Sequence, residues 1–94
     1  MSSETRVFIA EENVIFQQCL LRVLKEHRQV RVVGCARTDE EAATKIVATQ
    51  PDIALVSADI PRHGATELTR QLRRAAVGVR VIVMGPHVTA VCQR

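Results

Sequence analysis

The sequence predicts an α/β protein built on a doubly wound parallel sheet, and three observations predict it. Four short apolar runs, 6–10, 30–33, 52–56 and 79–84, alternate with segments whose apolar residues recur every three or four positions. Each run is nearly continuous in apolar residues rather than alternating, the pattern of a parallel strand covered on both faces. Turn residues, among them Gly34, Pro51, Gly64, Gly78 and Gly85, separate the segments, so that strand and helix alternate. Right-handed crossovers then put helices on both sides of a sheet with strand order 2-1-3-4.

In order, Met1 to Thr5 is a polar start and Arg6-Val7-Phe8-Ile9-Ala10 the first strand. It ends on two carboxylates, Glu11 and Glu12, and Asn13 is suited to cap the first helix. Phe16, Cys19, Leu20, Val23, Leu24 and His27 form one helical stripe, which puts Cys19 in the core and His27 near the helix C-terminus, where a positive charge is favourable. Val30 to Val33 is the second strand, and Gly34-Cys35-Ala36 leads away from it. Thr38-Asp39-Glu40-Glu41 fits a capping box, with Thr38 capping and Glu41 reaching back. Ala42, Ala43, Ile46 and Val47 then make the apolar face of a second helix that closes before Pro51.

Asp52 to Val56 is the third strand, and Ser57-Ala58-Asp59 gives it a polar tip. Pro61 has no N–H for a ladder and Gly64 permits a turn, so a loop begins at Ile60. Thr66 to Arg74 is a third helix that buries Leu68 and Leu72. Val79 to Met84 is the fourth strand, and Val88 to Arg94 suffice for at most two helical turns. That fourth strand is expected at a sheet edge with unpaired N–H and C=O groups, to be covered by a further strand and helix of a longer chain or by a second copy.

Composition narrows the function classes. The 94 residues make one domain, 1–94, with 47% hydrophobic and 24% charged residues and only Phe8 and Phe16 as aromatics, so the core is aliphatic. The net charge of +3 gathers at Arg70, Arg73, Arg74 and Arg80. Without interleaved aromatics or a DNA-reading helix we read these arginines as a solvated face, with direct nucleic-acid binding the weaker alternative. Cys19, Cys35 and Cys92 are odd in number, lack C-x-x-C spacing and are preceded by no apolar signal segment, which suggests reduced thiols in a cytoplasmic protein, with Cys92 exposed near the end. No apolar run approaches the roughly 18–20 residues that cross a bilayer. His63 and His87 sit on the loops after the third and fourth strands. With Glu11 or Glu12 they offer a transition-metal set, but loop histidines read first as solvated.

In this order RVFIAEEN, VRVVGCARTDEEA, PDIALVSADIP, ELTRQLR and VRVIVMGPH resemble the receiver domain of response regulators, a CheY-like, flavodoxin-like fold, particularly that of NarL-like, LuxR-type transcription regulators. The resemblance covers nearly the whole chain, and implies a domain truncated before the fifth strand and last helix. It also implies a phosphorelay switch, in which an aspartate ending the third strand takes a phosphoryl group from a histidine kinase and an acidic pair on the first strand holds Mg²⁺. Here the acidic pair falls on Glu11 and Glu12, longer than the family's aspartates, and the acceptor position falls on Ser57. The switch hydroxyl of the fourth strand falls on Gly85, and the family's lysine after the fifth strand has no counterpart.

The resemblance therefore implies a pseudo-receiver. We expect no enzyme and no resident cofactor, a regulatory or dimerisation module independent of a histidine kinase, and DNA contact only through a separate domain. Self-association is expected through the fourth-strand edge or the terminal region. The alternative is a receiver in which Asp59 is a displaced phosphoacceptor, with weakly bound Mg²⁺ held by Glu11, Glu12 and Asp59.

Overall fold

Parallel strands must be joined by long crossovers, and each crossover here is a helix. The computed structural model describes residues 4–75 and 77–85, and the backbone of 92–93. The elements run β1 (Thr5–Ala10), α1 (Val14–Lys25), β2 (Val30–Ala36), α2 (Asp39–Thr49), β3 (Ile53–Ser57), α3 (Gly64–Arg74), β4 (Arg80–Met84) and β5 (Cys92–Gln93). The first four strands are parallel in the order β2-β1-β3-β4, the flavodoxin-like arrangement expected from the sequence. Paired residues such as Phe8 and Ala54, or Ala54 and Val81, share a face. On that face they meet Ala42 and Ile46 of α2 and Leu68 and Leu72 of α3 in one buried cluster.

Two details of β1 and β2 differ from the sequence-based expectation. Residues 34–36 do not leave the sheet: β2 continues to Ala36, with Val33 as an extra residue where the register shifts between Val7 and Phe8. That shift sets Gly34 opposite Phe8, where a Cβ would lie 2.9 Å from Phe8 Cε2. A glycine is needed because the fully buried ring occupies the space of a side chain.

The first helix turns a different side to the sheet than its apolar stripe suggests. Gln17 is the buried residue, its amide donating to the Glu11 carbonyl at 3.1 Å and the Ala36 carbonyl at 3.3 Å, while Leu20, Leu21 and Leu24 are half-buried. Those bonds satisfy two strand-end carbonyls and set the helix's rotation. As a result Cys19 is exposed rather than in the core, and Phe16 and Val23 lie on the surface with Ile15, which is 75% exposed.

The remaining corrections concern ends. α3 begins at Gly64, two residues before the expected start. The β4 edge is not bare: Gln93 and Cys92 pair antiparallel with Ile82 and Val83, so the chain's own backbone takes up edge groups. The Cys92 side chain, His87 and most of the stretch expected to turn helically lie outside the described residues. Among the described residues no helix is long and apolar enough to cross a membrane.

This packing generates two testable outcomes. Gly34→Ala should lower the free energy of unfolding by about 1–3 kcal/mol in urea titrations, the usual effect of forcing an extra methyl into a filled site, and Phe8→Leu in the same chain should recover part of the loss. Burial, only partly offset by the Lys45 charge, raises the Cys35 thiol above its ordinary value. Cys19 should therefore react with a disulfide reagent at neutral pH before Cys35 does, and faster labelling of Cys35 would contradict the orientation of α1.

Candidate functional site

The carboxyl ends of parallel strands form the crevice in which sites of open α/β sheets lie, and here β1, β3 and β4 end side by side. At the β1 end, the Glu11 amide donates to the Ala36 carbonyl at 2.9 Å and continues the ladder by one residue. The Glu11 side chain is buried and folds back, its Oε2 accepting the Asn13 amide at 2.8 Å. Asn13 in turn caps α1, its Oδ1 accepting the Phe16 amide at 2.9 Å. Glu12 is exposed, and its carbonyl accepts Arg37 Nε at 3.1 Å. The two acids thus part company: one serves the turn into α1 and the other faces solvent.

Ser57 is the last residue of β3. Its Oγ accepts the Asp59 amide at 3.3 Å and its carbonyl accepts the Ile60 amide at 3.1 Å, so the side chain closes its own turn. Asp59 is exposed beyond that turn. Gly85 comes directly after β4, and among the described residues a Cβ there would meet nothing within 4 Å.

Whether these residues fit the magnesium ion that the family implies can be tested on their geometry. Mg²⁺ demands near-octahedral oxygen ligands at short distances. One Glu11 oxygen already accepts the Asn13 amide. Among the described residues no three carboxylate, imidazole or thiol side chains lie close enough to hold a metal ion. As arranged, Glu11, Glu12 and Asp59 occupy one edge of the sheet without forming one ligand set, and His63 joins no such set either.

The structure adds a pair that sequence reasoning missed. Asp39, in the first turn of α2, is fully buried, and its Oδ2 lies 3.0 Å from Nδ1 of His63 on the β3–α3 loop. The same loop receives the Asp39 amide on the Pro61 carbonyl at 3.4 Å. His63 is exposed, as a solvated loop residue is expected to be, but its ring is anchored on one side by Asp39. Among the described residues Asp39 Oδ1 is buried with no hydrogen-bond partner, so His63 gives the carboxylate its one side-chain hydrogen bond there. Between the tie points Arg62 has φ +86, a conformation that non-glycine residues seldom adopt.

The α2 cap is nearly as expected. Thr38 Oγ1 accepts the Glu41 amide at 3.1 Å, but Glu41 reaches one residue further back, to the Arg37 amide at 3.0 Å. That bond, and after it the contact with Lys45 at 2.9 Å, holds the Glu41 carboxyl below its ordinary value.

Removing His63 leaves a buried carboxylate without its partner. His63→Ala should destabilise the domain by about 1–3 kcal/mol, the effect of stranding a buried acceptor, and Asp39→Ala in the same chain should return part of the loss. Equal denaturation midpoints for wild type and His63→Ala would show that the pair does not hold the loop.

No family model matches the chain. It is 33% identical over 67 residues to a protein-glutamate methylesterase/protein-glutamine glutaminase of Syntrophus aciditrophicus, which covers 71% of this chain and 19% of that protein. It is 28% identical over 79 residues to the response regulator GacA of Pseudomonas viridiflava, 84% of this chain and 37% of that one. The chain thus spans less than two fifths of the length of these curated relatives. Among solved structures, the signal receiver domain of NarL from Mycobacterium tuberculosis matches with a TM-score of 0.86 and 26% identity, over 90% of this chain and 68% of that one. The response regulator domain of Thermotoga maritima CheB shares the fold, with a TM-score of 0.82 at 22% identity over 87% of this chain and 60% of that one. With the parallel β2-β1-β3-β4 strand order, these likenesses make the chain a response-regulator receiver domain of the CheY-like type.

Proposed function

We propose that this receiver is a phosphorylation-independent regulatory module, a pseudo-receiver, belonging to a transcription regulator of the NarL or LuxR type. The observation that carries the reading is Ser57 at the tip of the central strand, with its Oγ engaged by the Asp59 amide. A hydroxyl needs a general base before it attacks phosphorus, and a serine phosphate ester lacks the lability of an acyl phosphate, so a serine there does not give a switch that resets. Gly85 offers no hydroxyl to a phosphoryl oxygen. The engagement of Glu11 Oε2 by the Asn13 amide supports the same reading, because it commits the carboxylate to the turn into α1.

The likeness to the response regulator GacA supports placing the module in a regulator; this reading puts DNA contact in a separate domain and requires no histidine kinase. Output then passes through self-association or a bound partner, with the remaining β4 edge and the terminal region as the surfaces for a second copy. The domain is the non-catalytic input of that larger protein.

The deciding experiment is the intact mass of the purified chain after incubation with acetyl phosphate and Mg²⁺, alongside Asp59→Asn and Ser57→Ala. An unchanged mass in all three is expected. A phosphoryl adduct that disappears with Asp59→Asn would replace this reading with that of a receiver whose acceptor has moved two residues along.

A further inference from the structure

A cavity of about 650 Å³ lies between α3 and β4, on the sheet face that α2 and α3 cover, and reaches Ala58 in the turn that follows Ser57. Its volume falls in the range of small-molecule sites. Its inner wall is apolar, from Val81 and Val83 of β4. The outer wall is formed by Thr66, Arg70 and Arg73, which fall at successive turns on one face of α3, and by His63 just before that helix. Among the described residues no acidic side chain lines it.

The cationic groups are only partly committed. Glu67 is the sole acid of α3, and it accepts one Arg70 N–H, from Nη1, at 3.1 Å. Arg73 makes no ion pair among the described residues. His63 is held from behind through Nδ1 by the buried Asp39, which leaves Nε2 as the ring's uncommitted nitrogen. A ring fixed in this way loses little freedom on meeting a ligand. An apolar wall facing two guanidinium groups and an anchored imidazole matches one ligand chemistry, a flat apolar body ending in a phosphate. Guanidinium groups grip phosphate through paired N–H bonds, and the body fills the space against the valines.

We propose that the α3–β4 cavity binds a small organic phosphate, with the phosphate at His63, Arg70 and Arg73 and the apolar body on Val81 and Val83. The site goes beyond the pseudo-receiver reading and stands whether or not the strand tips carry out phosphoryl transfer. It gives the receiver an input that arrives by binding.

The test titrates the full ¹⁵N-labelled chain with 1-naphthyl phosphate and tracks amide shifts, with inorganic phosphate and 1-naphthol as the two halves of the probe. Shifts are expected over 63–73 and 81–83. Each half alone should bind at least about tenfold more weakly than the whole. Arg70→Gln with Arg73→Gln should lose about tenfold or more, and Arg70→Lys with Arg73→Lys should lose less, because the charge stays while the fork is lost. Both arginines are exposed, so an amide spectrum with unchanged dispersion serves as the check on folding. The proposal is overturned by absence of binding, by equal affinity in the double glutamine variant, or by a half-probe that binds as tightly as the whole. It is also overturned by shifts centred on 14–23, the exposed apolar side of α1.

Discussion

The arrangement of this domain is set by the hydrogen-bonding and burial demands of its two central strands. β1 and β3 each pair on both sides, so every backbone group in their middle is used within the sheet, and both faces must then be covered by side chains from elsewhere. On one face α2 and α3 pack together over Phe8, Ala54, Val56 and Val81 in one buried cluster. On the other, α1 is the helix among the described residues and packs against β2, and Val7 and Ile9 of β1 are buried. The residues in register with them on β3 and β4, Ile53, Leu55 and Ile82, are only half-buried, and so is Met84 beside Ser57. The asymmetry of the two faces explains why α1 carries Ile15, Phe16 and Val23 on its surface while α2 and α3 keep their large apolar residues largely inside.

Much of this was legible in the residues. Continuous apolar runs identified the parallel strands, and the strand tips located Glu11, Ser57 and Gly85 because tips are set by where apolar character stops. Thr38 was recognisable as a cap because capping depends on residues three apart. The rotation of α1 was not legible. Phe16, Cys19 and Val23 are as apolar as Leu20, Leu21 and Leu24, and periodicity identifies a stripe without saying how much of it the sheet reaches. The deciding residue was Gln17, a polar side chain drawn inward by two carbonyls from separate strands. The Asp39–His63 pair was hidden for a similar reason: an aspartate in a first helical turn already has a local explanation in the helix dipole, and its partner lies 24 residues away.

The β3–α3 loop shows how these hidden contacts bear on function. Ser57 closes the start of the loop with its Oγ and its carbonyl, and Asp39 fastens the far end through Pro61 and His63. Arg62 sits between with φ +86, and such a residue persists only where its surroundings fix the chain on both sides. Protein groups hold both ends of the loop, and α2 rather than the strand tips supplies the far anchor. A loop held this way transmits change through whatever moves α2 or His63. A ligand against His63 would act on the loop by that route, since the same imidazole contacts the buried carboxylate and borders the α3–β4 cavity.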